Sequence, residues 1–138
     1  MDSRARRSEY KVQKSVLIVE DNFDTRKMFR DLLEVHGFQT FCAANGSDAL
    51  SLAKEHRPDL ILMDVKLDGR VSGVDAVVQI RSDHRLKGIP VVAVTAFAMR
   101  GDEERMIDAG FDGYLPKPVS IDDFLGKVEE FTGPPTDD

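Results

Sequence analysis

The chain has 138 residues, 41% of them apolar. That is enough for one ordinary domain with a buried core and too few for two. A formal net charge of −6 argues against general nucleic-acid binding, and a lone cysteine, Cys42, excludes an internal disulfide and a cysteine-rich zinc site. No apolar run approaches a membrane span, and the charged stretch 1–14 lacks the apolar block of a signal peptide, so the expected location is the cytoplasm.

Short β-branched apolar runs alternate with amphipathic stretches along the chain. The first strand is predicted over 15–19, ending at the polar Glu20-Asp21-Asn22. A helical pattern then places Phe23, Met28, Phe29, Leu32 and Leu33 on one side, with Gly37 as its stop. A second strand over 38–43 leads through Asn45-Gly46 into a helix over 47–56, and Cys42 is expected to be an inert buried residue of that strand. The third strand, 60–64, is apolar until Asp64, and after a Gly-containing loop Val74, Val77, Val78 and Ile80 support a third helix. A fourth strand over 89–95 precedes a polar-faced helix over 101–109. A short fifth strand, 113–115, leads to Lys117-Pro118 and a last helix that Ser120 caps, with Asp122 and Asp123 in its first turn. His36, His56 and His84 fall near helix ends, without metal-ligand spacing.

Five strand-then-helix units with near-continuous apolar strands imply an α/β fold, a three-layer αβα sandwich around a five-stranded parallel sheet. The folded unit is expected over 15–131. A basic, flexible extension (1–14, carrying Arg4, Arg6, Arg7, Lys11 and Lys14) and a flexible acidic Gly/Pro tail (132–138) flank it. The extension is read as solvated rather than as a binding segment.

The apolar strands stop at Glu20-Asp21, at Asp64, at Thr95 and just before Lys117. In a parallel sheet all carboxyl ends share one edge, where ligands bind. Three carboxylates at close quarters repel, and a hard divalent cation with oxygen ligands resolves the conflict. Glu20, Asp21 and Asp64 then balance the cation and the Lys117 ammonium in charge. A carboxylate in such a place can attack phosphorus and form an acyl phosphate, with the ammonium and the Thr95 hydroxyl stabilising the transferring oxygens. The bland alternative makes Asp21 or Asn22 only a cap of the first helix. Asp64 has less room for one, because an acid ending an apolar strand is costly unless used or paired.

Four stretches carry a family resemblance: Val-Leu-Ile-Val-Glu-Asp-Asn (16–22), Pro-Asp-Leu-Ile-Leu-Met-Asp (58–64), Ile-Pro-Val-Val-Ala-Val-Thr-Ala (89–96) and Gly-Tyr-Leu-Pro-Lys-Pro (113–118). Together they resemble the receiver domain of two-component response regulators, over 15–131, and 93–104 is similar to the DivK-like cell-division regulators. The resemblance implies a flavodoxin-like (CheY-like) sheet of order 2-1-3-4-5 with five helices. It implies Asp64 as phospho-acceptor, and Glu20, Asp21, Asp64 and the Lys66 backbone carbonyl as ligands of Mg²⁺, with Mn²⁺ as an alternative. Thr95 and Lys117 would meet the phosphoryl group, Thr95 and Tyr114 would form the switch, and the Lys117–Pro118 bond would be cis. A single-domain regulator of this type would take its phosphoryl group from a histidine kinase or a histidine phosphotransfer protein. It would signal to a downstream target protein through the surface of helix four, strand five and helix five, including Met99, Arg100, Glu103, Tyr114 and Pro118. Neither DNA nor membrane is expected as a partner, and the expected state is a monomer or a weak phosphorylation-dependent dimer. It would assist its own phosphorylation and dephosphorylation without turning over an external substrate.

Two departures from the family pattern stand beside the site. Asp68 occupies a position usually held by proline, and the loop 67–73 is one residue longer. Lys66 and Phe97 occupy variable positions that tune phosphoryl lifetime, and the long Lys66 side chain is expected to slow hydrolysis. A phosphatase of the haloacid dehalogenase type is disfavoured, because such enzymes need an acid two residues after the nucleophile, where this chain has Lys66. A docking module that has lost phosphorylation is disfavoured because every chemical position is filled. A piece of a longer hybrid protein is the remaining alternative.

Overall fold

The computed structural model describes residues 13–67, 71–96 and 101–133. Most of the basic extension (1–12), Asp68, Gly69, Phe97, Met99, Arg100 and the end of the acidic tail (134–138) lie outside the described residues. The elements run β1 (Ser15–Val19), α1 (Phe23–Val35), β2 (Gln39–Ala43), α2 (Gly46–His56), β3 (Leu60–Asp64), α3 (Gly73–Ser82), β4 (Val91–Thr95), α4 (Asp102–Ala109), β5 (Gly113–Pro116) and α5 (Ile121–Thr132). All strands are parallel, in the order β2-β1-β3-β4-β5. Element bounds differ from expectation by a residue or two. Strand two begins at Gln39 because Phe38 closes the end of α1: its N–H donates to the Leu33 carbonyl at 3.0 Å while Gly37, at φ +89°, donates to Glu34 at 3.1 Å.

Strand side chains alternate, so each central strand feeds two cores. Leu17, Ile61, Met63, Val91 and Ala93 face one layer and pack with Ala49, Ala76, Val77, Ile80, Met106 and Phe111. Val16, Ile18, Leu62, Val92 and Val94 face the other and pack with Phe29, Leu33, Phe124 and Val128. Thus α2, α3 and α4 cover one face and α1 and α5 the other, where Phe29 and Phe124 stack with ring centroids 4.6 Å apart. All residues of β1, β3 and β4 are buried, which is why they read as unbroken apolar runs.

One expectation about burial, that for Cys42, needs correction, and three apolar side chains of the helical patterns prove to be exposed. Phe23 and Met28 are 63% and 46% exposed, because α1 meets the sheet through Phe29 and Leu33 one turn on. Val78 is also exposed, while Val77 and Ile80 carry the α3 contact. Cys42 is a free thiol and only half-buried, since β2 is an edge strand with one neighbour. Burial still pushes its thiol pKa up. The histidines stay near helix ends: His36 follows α1, His56 ends α2 stacked on Phe41, and His84 follows α3.

The amino edge of the sheet is pinned by a residue that periodicity does not single out. Arg81 donates from Nε to the Gly110 carbonyl (2.9 Å) and from Nη1 to the carbonyls of Lys87 and Ile89 (3.1 and 2.8 Å), and it pairs with Asp112. Asp112 Oδ2 also accepts from the Val91 N–H at 2.8 Å. One guanidinium therefore ties α3, the following turn and the foot of β5 together.

Candidate functional site

Each strand of the carboxyl edge ends on a side chain with a different task. Glu20 follows β1, its own N–H bonded to the Ala43 carbonyl at 3.0 Å, so the strand ladder runs one residue beyond Val19 before the chain turns. Its carboxylate is only 2% exposed. Oε2 accepts from the Asn22 N–H at 3.0 Å and Oε1 accepts from Lys117 Nζ at 2.7 Å. Arg26, one turn into α1, donates to the Glu20 carbonyl at 2.7 Å and holds the turn shut.

The cap of α1 is Asn22, whose side chain accepts from the Thr25 N–H at 2.9 Å. The capping role that Asp21 could have taken is thus filled by its neighbour. Asp21 instead contributes a carboxylate oxygen to a cluster with Glu20 and Asp64 in which all three ligand atoms lie within 4.8 Å of one another.

Asp64 ends β3 and is 6% exposed. Oδ1 accepts from the Lys66 N–H at 3.0 Å, and Oδ2 lies 3.4 Å from Lys117 Nζ. The loop after it folds straight back: the Gly73 N–H donates to the Val65 carbonyl at 3.1 Å. A Cβ on Gly73 would meet the Asp64 carbonyl oxygen and come within 2.7 Å of Val65 Cα, so only glycine permits this approach.

Lys117 reaches the acids because the Lys117 N–H donates to the Thr95 carbonyl at 2.8 Å, extending the β4–β5 pairing past Pro116. The Lys117–Pro118 bond is cis, as the resemblance implies. Thr95 is buried at the end of β4. Strand alternation puts it on the same sheet face as Ala93, and Tyr114, which pairs with Ala93 in register, packs against that same α2–α3–α4 side.

Burial raises the Glu20 pKa, the hydrogen bonds from Lys117 and Asn22 oppose the rise, and nearby Asp64 adds to it. For Lys117, burial works against the ammonium, but the Glu20 hydrogen bond and the charges of Asp64 and Glu20 together outweigh it and leave its pKa above the ordinary lysine value. Two buried acids share one cation, with a third acid beside them. That excess of negative charge fits a divalent metal ion on oxygen ligands, and the donor set is the hard one that Mg²⁺ prefers.

A cleft of about 340 Å³ takes in Glu20, Asp21, Asp64, Thr95, Lys66 and Lys117. Tyr114 is not in its lining and packs on the α2–α3–α4 side of the sheet. The lining also includes Asn22, Thr25 and Ala96, which sequence patterns did not assign to the site. The signal for Asn22 was its capping position; Thr25 and Ala96 had none. A second recess, about 460 Å³, shares Thr25, Ala96 and Lys117 with the first and opens toward Met28, Pro118 and Val119. Among the described residues no helix is long and apolar enough to cross a membrane.

The comparisons agree with this architecture. The model of the response regulator receiver domain matches residues 16–129. The polar-differentiation response regulator DivK of Brucella anthropi is 50% identical over 120 residues, 87% of this chain and 97% of the relative. The protein of the same name from Brucella ovis is 48% identical over the same span. Among solved structures, the receiver domain of a sensor histidine kinase from Pseudomonas aeruginosa PAO1, with a magnesium ion coordinated in its active site cleft, has a TM-score of 0.80 at 30% identity, covering 89% of this chain and all of that one. The chemotaxis protein CheY4 of Vibrio cholerae also superposes with a TM-score of 0.80, at 26% identity over 87% of this chain and 99% of that one.

Proposed function

This chain belongs to the response regulator receiver family, and on that premise we propose that it accepts a phosphoryl group on Asp64 from a phosphohistidine of a kinase or phosphotransfer protein. The observation that carries the reading is the convergence of Glu20, Asp21 and Asp64 within 4.8 Å, with Lys117 bonded to the first and third. An Asp64 oxygen attacks phosphorus, the bond to the donor imidazole nitrogen breaks, and that nitrogen keeps the electron pair and takes a proton. Lys117 and the Thr95 hydroxyl meet the charge on the transferring oxygens. The second recess leaves open ground between α1 and the start of α5, beside the cleft, for the donor to approach.

Glu20, Asp21, Asp64 and the Lys66 carbonyl would hold Mg²⁺, or Mn²⁺ in its place. When bound, the metal offsets carboxylate repulsion and polarises phosphoryl oxygens. The likeness to a receiver domain with magnesium in its cleft supports this assignment.

Phosphorylation adds roughly two negative charges at Asp64. Thr95 moves toward them and Tyr114, on the same sheet face one step below, rotates toward the space vacated. That repacks the α4–β5–α5 face and shifts the population between two states. No external substrate is turned over, and the output is binding of a target protein.

The test is intact mass after incubation with acetyl phosphate and Mg²⁺. One phosphoryl adduct is expected in the wild type, lost with EDTA and absent in Asp64→Asn. An adduct that persists in Asp64→Asn would overturn the choice of nucleophile. No adduct from acetyl phosphate or from a histidine-kinase donor would overturn phosphorylation altogether.

A further inference from the structure

Residues 102–132 hold nine acids against three bases, a net of −6 that equals the charge of the whole chain. The bases of this stretch are turned inward or taken: Lys117 into the cleft onto Glu20, Arg105 onto buried Asp102, Lys127 onto Glu130 at 3.3 Å. Glu103, Glu104 and Asp108 on α4 and Asp122, Asp123 and Glu129 on α5 are exposed. The two helices lie on opposite faces of the sheet, since Met106 belongs to one core and Phe124 to the other. Their outer sides therefore border one edge of the sheet, that of β5, whose only paired neighbour among the described residues is β4. Two apolar side chains stand out among the acids: Ile107 is 44% exposed and Ile121 55%.

We infer that this face docks a Lys/Arg-rich amphipathic helix of a protein partner. The inference rests on the reading that α4–β5–α5 carries the output, and it adds the chemistry of what is bound. Other occupants are disfavoured on physical grounds. A second copy joined symmetrically would set two strongly acidic faces together. Nucleic acid carries the same sign of charge. Strand addition is blunted because β5 ends on Pro116, which has no N–H to offer, with Pro118 just beyond. A helix with basic flanks and apolar side chains between them matches a face of exposed carboxylates that also exposes Ile107 on α4 and Ile121 on α5.

The probe is a synthetic Leu/Lys amphipathic helical peptide, with a Leu/Glu counterpart, titrated into the full chain by fluorescence anisotropy with and without acetyl phosphate and Mg²⁺. The face variant is Asp108→Lys with Glu129→Lys, both near helix C-termini where a cation suits the dipole, so folding is preserved. The control is Glu34→Lys with Glu55→Lys, exposed acids on the helices beside β2 at the opposite edge of the sheet. The two variants change net charge equally. The expected result is binding of the Lys peptide alone, weakened about tenfold in the face variant and by salt, and little changed in the control.

Equal losses in both variants, no loss in either, or no binding would overturn the inference. A gain in affinity on deleting residues 1–12 would also overturn it, assigning the face to the chain's own basic segment. Amide shifts at Tyr114 and α5 report the phosphorylation switch separately. Shifts without peptide binding refute the partner chemistry alone. Face-specific binding that ignores phosphorylation upholds that chemistry and refutes the output reading.

Discussion

Replacing Lys117 by Met keeps the stem and deletes the ammonium that Glu20 and Asp64 share. At 2.7 and 3.4 Å, each contact has a gross attraction of about 5–6 kcal/mol at an effective dielectric constant near 20. Desolvation cancels most of it, and the lysine side chain keeps 26% of its surface in water. The net loss at neutral pH is therefore about 1–3 kcal/mol. Burial already holds the Glu20 pKa above its ordinary value of 4.5, and without the cation it rises further. A carboxyl with a raised folded pKa binds more protons folded than unfolded. Its contribution is full below the unfolded pKa and is lost as pH climbs through the folded one. Lys117, raised above 10.5, keeps its contribution until pH climbs through that higher value, so below it the pH dependence of the pair comes from the carboxyl.

Urea unfolding in EDTA, from about pH 4 to about pH 8, reads the difference. The gap between variant and wild type is expected to widen as pH rises, reach about 1–3 kcal/mol near neutrality, and narrow when Mg²⁺ supplies another cation. A variant as stable as the wild type at neutral pH in EDTA, or a gap that closes with rising pH, refutes the reasoning.

Asp21→Asn removes one hard ligand without touching the cap of α1, so Mn²⁺ affinity by calorimetry should fall at least about tenfold while unfolding in EDTA barely changes; an unchanged affinity would exclude Asp21 from the ligand set. Gly73→Ala forces a Cβ against the Asp64 carbonyl and Val65 Cα, backbone atoms that cannot step aside. A loss of about 1–3 kcal/mol and a melting point lower by several degrees are expected, and an unaltered melting point would contradict the close approach. Lys66→Ala opens the mouth of the cleft to water, and phosphate release from phosphorylated protein should quicken about two- to tenfold. A rate that stays level or falls rules out shielding by that side chain.

Most of the edge chemistry was legible before any coordinates. Strands buried on both faces must be apolar throughout, so a carboxylate, hydroxyl or lysine where such a run stops is conspicuous. Parallel pairing then brings all such stops to one edge. Glu20, Asp21, Asp64, Thr95 and Lys117 were all readable for that reason, and local cap chemistry placed Asn22 and Ser120. The strand order followed from the family motifs rather than from periodicity.

Other features belong to tertiary structure alone. Which apolar residues of α1 face the sheet depends on the roll of the helix, and this sequence leaves Phe23 and Met28 outside although they share a pattern with Phe29. Cys42 is half-buried because β2 falls at the edge, a matter of strand order. Arg81 ties down groups as many as 31 residues away, and Lys117 contacts Glu20 across 97. No local pattern encodes such partners, since they meet only once the sheet has formed. The sequence determines which charges are present, and packing decides which of them share a lysine.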